Sequence, residues 1–183
     1  HKSIAMPGCS INNPTLTEAD LRNLAVAKQY KVTDVMLPFV RNKADLIILR
    51  EALREYGCED IRIFAKIENM TGVEHLEELI PYCDYIVIAR GDLGNAMPLS
   101  QLPRIQAHIA RVCRKHNKDF MIVTQMLDSM IKNPYPTRAE VNDIYHAVTQ
   151  GASALMLTGE TAHGKYPVEA MKMLVDTAEE SIL

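Results

Sequence analysis

The sequence predicts an α/β fold: a parallel sheet of the TIM-type (β/α)8 barrel, of which this chain supplies about five βα units. Three observations carry that expectation. Short β-rich runs alternate with longer segments of helical period, the runs are apolar enough for burial on both faces, and polar residues gather just after each run. The expected strands are Val35–Phe39, Arg62–Ile67, Tyr85–Ala89, Phe120–Thr124 and Ala154–Thr158.

The helical segments carry recognisable starts and stops. Thr17-x-x-Asp20 reads as a capping box ahead of Leu21, Leu24 and Ala25. Asp45 to Tyr56 puts Leu46, Leu49 and Leu53 on one stripe, with Gly57 as its stop. Thr71-x-x-Glu74 opens a short helix through Leu76 and Ile80, and Leu102 to Asn117 aligns Ile105, Ile109 and Val112. Thr137-x-x-Glu140 starts a helix ending at Gly151, and Pro167 suits the first turn of the last one. The polar groups after the strands are Arg41, Glu68-Asn69, Arg90-Gly91-Asp92, Thr124-Gln125 and Gly159-Glu160-Thr161. Contributions from every successive strand end favour a barrel over an open sheet, which would concentrate them at one switch point.

The bulk properties exclude several classes. A length of 183 residues with 48% hydrophobic content suits one domain with a real core. A net charge of −3 offers no basic face, so neither nucleic acid nor an anionic membrane is an expected partner. Cys9, Cys58, Cys83 and Cys113 form no C-x-x-C pair, which argues against a zinc site or disulfide framework and suits a reducing cytoplasm. No apolar run approaches the roughly 20 residues of a membrane span. The chain opens on His1 instead of Met and ends within a helical pattern, so a processed product or a piece of something longer is expected.

Strand periodicity places Phe64, Lys66 and Glu68 on one face and Ile63, Ala65 and Ile67 on the other. That aims an amine and a carboxylate into the barrel mouth, although Lys-x-Glu alone reads more readily as a strand-end ion pair. Asp92 stands in Arg90-Gly91-Asp92-Leu93-Gly94, where glycines permit tight turning and anion approach to backbone N–H groups. An Asx-turn is the plainer alternative. Glu68 and Asp92 from neighbouring strand ends suit one hard divalent cation such as Mg²⁺. Thr124 offers a hydroxyl to the same pocket, or satisfies a local backbone group. The five later histidines share no spacing with the carboxylates, and the ten methionines read as core filler.

Five motifs follow in order: Ala65-Lys66-Ile67-Glu68-Asn69, Ala89-Arg90-Gly91-Asp92-Leu93-Gly94, Thr124-Gln125-Met126-Leu127-Asp128-Ser129-Met130, Pro136-Thr137-Arg138-Ala139-Glu140 and Gly159-Glu160-Thr161-Ala162. Together they resemble the successive signatures of pyruvate kinases, a likeness running from Met6-Pro7-Gly8 to the last helix. The resemblance implies that Glu68 and Asp92 bind the catalytic Mg²⁺ (or Mn²⁺). It gives Lys66 the charge on the transferring phosphoryl group and the enolate oxygen, and gives backbone N–H groups near Gly91 and Asp92 the substrate carboxylate. Thr124 is placed beside the methylene carbon, assisting its protonation through water. The implied partners are phosphoenolpyruvate and pyruvate with ADP and ATP, in a cytoplasmic homo-oligomer.

Some positions depart from the family. Pro38 stands where a small hydroxylated residue is usual before Phe39, Asn95-Ala96 replaces an apolar-acidic pair, and His146 replaces a common Asn. Barrel units four to eight are expected here. The first three units, with the phosphate-gripping arginine and the K⁺ ligands, are expected outside this sequence, as are the lid and C-terminal domains. Five strands leave two long open sheet edges. Two other outcomes suit those features: nucleotide-independent Mg²⁺–enolate chemistry of a lyase or decarboxylase type, and a non-catalytic fragment whose edges bind partner strands.

Overall fold

The computed structural model describes residues 13–182; Met6-Pro7-Gly8, Cys9 and Leu183 lie outside the described residues. The elements run α1 (Glu18–Ala27), β1 (Asp34–Leu37), α2 (Lys43–Glu55), β2 (Arg62–Ile67), α3 (Met70–Glu74), α4 (Leu76–Leu79), β3 (Tyr85–Ala89) and α5 (Arg90–Asn95). They continue as α6 (Leu102–Lys115), β4 (Phe120–Val123), α7 (Arg138–Thr149), β5 (Ala154–Met156), α8 (Gly159–Ala162) and α9 (Pro167–Glu180). The five strands pair in sequence order, each parallel to the next. This is an uninterrupted run of parallel βα units, as expected of a barrel wall.

The strand alternation divides the core in two. Ile63, Ala65, Ile67, Ile86, Ile88 and Ile122 face the helices and belong to the large cluster that includes Leu46, Leu53 and Ile109. Phe64, Val87, Ala89 and Val123 make a smaller cluster on the opposite face, with Tyr85, Met121 and Met156 against it. The register Lys66↔Val87 and Val87↔Met121 puts Lys66 in that second row. Thus the face carrying the amine is the inner, barrel-lumen side.

Local signals act as their chemistry dictates. Thr17 and Asp20 form the reciprocal capping box of α1, and Thr137 and Glu140 that of α7. Gly57, at φ 65°, closes α2: its N–H bonds the Arg54 carbonyl at 3.0 Å and the Cys58 N–H bonds the Leu53 carbonyl at 2.8 Å. That is the Schellman arrangement, which favours glycine at this φ.

Four expectations need correction. The helix expected from Thr71 starts two residues earlier in phase, because the Asn69 side chain accepts the Gly72 N–H at 2.8 Å and caps α3. It then breaks, and a 3₁₀ turn over Ile80–Tyr82 containing Pro81 ends it. The Gly91–Gly94 stretch, expected as a tight turn, is part of the short helix α5. Strands β1 and β4 end before Phe39 and Thr124, which lie in left-handed backbone at φ 51° and 79°. Finally, β1 and β5 stand at the two open edges of the sheet as expected, but these edges are short, four residues in β1 and three in β5.

Candidate active site

The site is built on the carboxyl ends of β2, β3 and β4. Lys66, three-quarters buried, places Nζ 2.8 Å from Glu68 Oε1, while the Glu68 side chain is 1% exposed. The other Glu68 oxygen accepts the Phe39 N–H at 2.7 Å. The positive φ of Phe39 accompanies that bond, since it lies at the turn where the chain leaves β1. The same turn is stapled twice more: Val40 N–H donates to the Lys66 carbonyl at 3.2 Å, and Asn69 Nδ2 donates to the Val40 carbonyl at 3.2 Å. Pro38 removes the hydroxyl expected there, yet the backbone amide after it supplies a polar contact to Glu68.

After the next strand, β3, Asp92 sits exposed in the first turn of α5. Ile67 and Ile88 are in register, so Glu68 and Asp92 follow adjacent strand ends. Beside them, Gly91 admits the Thr124 side chain: a Cβ on Gly91 would stand 3.0 Å from Thr124 Cγ2. The structure therefore brings Lys66 to Glu68 and Thr124 to Gly91.

Each Glu68 oxygen accepts one hydrogen bond and keeps lone-pair capacity for a second partner. A buried, pre-oriented carboxylate with a second acid on the adjacent strand end fits a hard divalent cation, which keeps its other positions for water and substrate oxygens. Among the described residues no three His, Cys, Asp or Glu converge. Glu68 and Asp92 are the two acids at these strand ends that could hold such a cation.

Several polar residues after the strands turn out to be loop clamps. Asp45, 3% exposed, accepts the Arg41 N–H at 2.9 Å and pairs with the Arg41 guanidinium, Nη2 lying 2.6 Å from Oδ1. Glu140 accepts from the N–H and hydroxyl of both Ser129 and Thr137. Glu160, 1% exposed, accepts the Leu127 N–H at 3.0 Å and the Thr158 N–H at 2.8 Å. Sequence reading placed Glu160 among the mouth residues but missed this role; its burial depends on amides that no sequence pattern displays.

Burial alone would raise the pKa of Asp45, Glu140 and Glu160, but the hydrogen bonds outweigh it and all three are held below the ordinary carboxylate value. Their stabilisation is present above the unfolded carboxylate pKa and is lost as pH falls through the lower folded values. The urea midpoint is therefore expected to be level near neutrality and to drop below about pH 4–5. Glu160→Gln should flatten that drop. Equal midpoints at pH 7 and pH 3 would contradict the clamp assignment.

The fold and the site define a class: a segment of parallel βα-barrel wall with charged and hydroxyl groups collected at the strand ends. The barrel-domain model of pyruvate kinase matches residues 1–171. Pyruvate kinase of Clostridium acetobutylicum is 41% identical over 181 residues, covering 99% of this chain and 38% of that protein. Those of Bacillus licheniformis and Candida albicans are 39% and 40% identical, with 98% and 100% of this chain matched and 31% and 36% of those proteins. The chain belongs to the pyruvate kinase family, and it spans roughly a third of the length of the curated relatives it matches.

Proposed function

We propose that this chain provides the metal- and enolate-handling part of a pyruvate kinase site, acting in phosphoryl transfer from phosphoenolpyruvate to ADP. The observation that carries this reading is the Lys66–Glu68 pair, an amine held on the inner face by a carboxylate with almost no solvent contact. The family match favours phosphoryl transfer over a nucleotide-independent lyase.

Glu68 and Asp92 would hold Mg²⁺ or Mn²⁺, which when bound neutralises charge across phosphoryl and enolate oxygens. In the transfer, the P–O bond to the substrate's C2 oxygen breaks and a P–O bond to the ADP β-phosphate forms. Lys66 carries a positive charge to the oxygen left on C2, where negative charge develops. Glu68, itself held by the Phe39 N–H, fixes that amine in place beforehand, so little reorganisation is needed as the charge appears. N–H groups near Gly91 and Asp92 orient the substrate carboxylate. The enolate then takes a solvent proton at C3 beside Thr124, giving pyruvate.

The test runs the last step backwards. With Mg²⁺ in D₂O, the chain is expected to exchange the methyl protons of pyruvate, followed by NMR, and Thr124→Ala to slow that exchange about 10²-fold. Exchange at the buffer rate with wild-type chain would overturn the reading for this chain.

A further inference from the structure

We infer that Arg90 is a positioning residue, acting with Asp143 to hold Thr124 in the left-handed backbone that aims its hydroxyl; the functional part of this rests on the enolate reading above. Thr124 and Gln125 stand at φ 79° and 55° in succession. For a β-branched residue such a φ is a genuine outlier, costing about 1–3 kcal/mol, and it persists only where the surroundings over-determine it.

Arg90 is the surrounding group that does so. Its Nε and Nη2 donate to the Thr124 carbonyl at 3.2 and 2.8 Å, and Nη2 also reaches the Gln125 carbonyl at 3.3 Å. Nη2 further contacts Met126 Sδ at 3.0 Å. The guanidinium is thus spread along the carbonyls of both strained residues. Its remaining edge is taken by Asp143 of α7, with Nη1 2.9 Å from Oδ1 and 2.7 Å from Oδ2. The Arg90 side chain is 10% exposed, so these bonds compete little with water.

The neighbouring residue completes the device. Gly91 leaves the space into which Thr124 Cγ2 packs, 3.0 Å from where a Cβ would stand. Consecutive residues at the start of α5 therefore define Thr124 from two sides, Arg90 through its carbonyl and Gly91 through its methyl. A lysine keeps the charge of Arg90 but not the planar fork that reaches two carbonyls and a carboxylate together. The motif's arginine is thereby assigned to Thr124.

The experiment compares isotope-labelled wild-type chain with Arg90→Met, Arg90→Lys and Asp143→Asn. In wild type, Thr124 and Gln125 are expected to show the strong intraresidue amide–Hα NOE of a positive φ, and the Thr124 methyl an NOE to Gly91 Hα. Both should be lost in Arg90→Met and weakened in Arg90→Lys and Asp143→Asn. If Arg90→Met does not fold, the lysine and Asp143→Asn variants decide. Retention of the wild-type pattern in the variants that fold overturns the assignment. In the pyruvate exchange assay, Arg90→Lys should lower the maximal rate about tenfold with half-saturation within about twofold of wild type. In a Thr124→Ala background the same change should cost almost nothing. A full tenfold loss persisting in that background would show that Arg90 acts elsewhere and overturn the inference. If Thr124→Ala leaves exchange unaltered, the enolate role of Thr124 fails, and the NOE result alone then judges the positioning by Arg90.

Discussion

Lys66→Met is expected to lower stability by about 3 kcal/mol, because it leaves the Glu68 carboxylate buried without its cation. Loss at the low end of the range for broken buried pairs is expected, since Lys66 is itself a quarter exposed and the Phe39 N–H still serves one oxygen. Glu68→Gln added to Lys66→Met should recover most of that loss, as a neutral amide needs no counter-charge. The proposed phosphoryl transfer should fall about 10²–10³-fold in Lys66→Met, the usual effect of removing one preorganised stabilising donor. It should stay low in the double variant. Urea denaturation checks the first pair of statements, and recovery of stability without recovery of chemistry separates the two roles of the amine. Equal stability of wild type and Lys66→Met would refute the ion-pair argument.

Gly72→Ala is the second large effect, and its sign is informative. Helix propensity alone favours alanine over glycine in a helix by about 1 kcal/mol. Here a Cβ would stand 2.6 Å from the Val40 carbonyl oxygen, a backbone atom that also accepts from Asn69. Relief of that contact must push the turn after β1 away from α3. Phe39 lies in the same turn, so its N–H would be drawn from Glu68 as well. A net loss of about 2 kcal/mol is expected, within the usual range for overpacking. Calorimetry should show a lower Tm, and the Phe39 amide should exchange faster with solvent. An unchanged or raised Tm would mean that the turn yields freely and does not brace Glu68.

Much of this was legible in the residues. The inner placement of Lys66 followed from period two alone, and both capping boxes stand as Thr17/Asp20 and Thr137/Glu140. The stripes Leu46–Leu49–Leu53 and Ile105–Ile109–Val112 are buried as their spacing requires. What escaped was whatever depended on backbone groups meeting across the chain. The Phe39 amide on Glu68 joins residues 29 apart in sequence, and Arg90 reaches carbonyls 34 and 35 positions away. Side-chain patterns carry no trace of such bonds. The left-handed Thr124 is hidden for a related reason: a β-branched residue at the end of a strand run predicts continued strand. Only the tertiary grip of Arg90 and the space at Gly91 overrule that preference.

Lys66, Glu68 and Asp92 are the residues of the proposed site for a divalent cation and an enolate-like anion. Titration of the chain with Mn²⁺ with and without oxalate, read by electron paramagnetic resonance, tests it most directly. Oxalate should tighten Mn²⁺ binding in wild-type chain, and Glu68→Gln or Asp92→Asn should weaken the ternary complex at least about tenfold. Mn²⁺ binding indifferent to oxalate, or an Asp92→Asn chain that binds both as tightly as wild type, would contradict it.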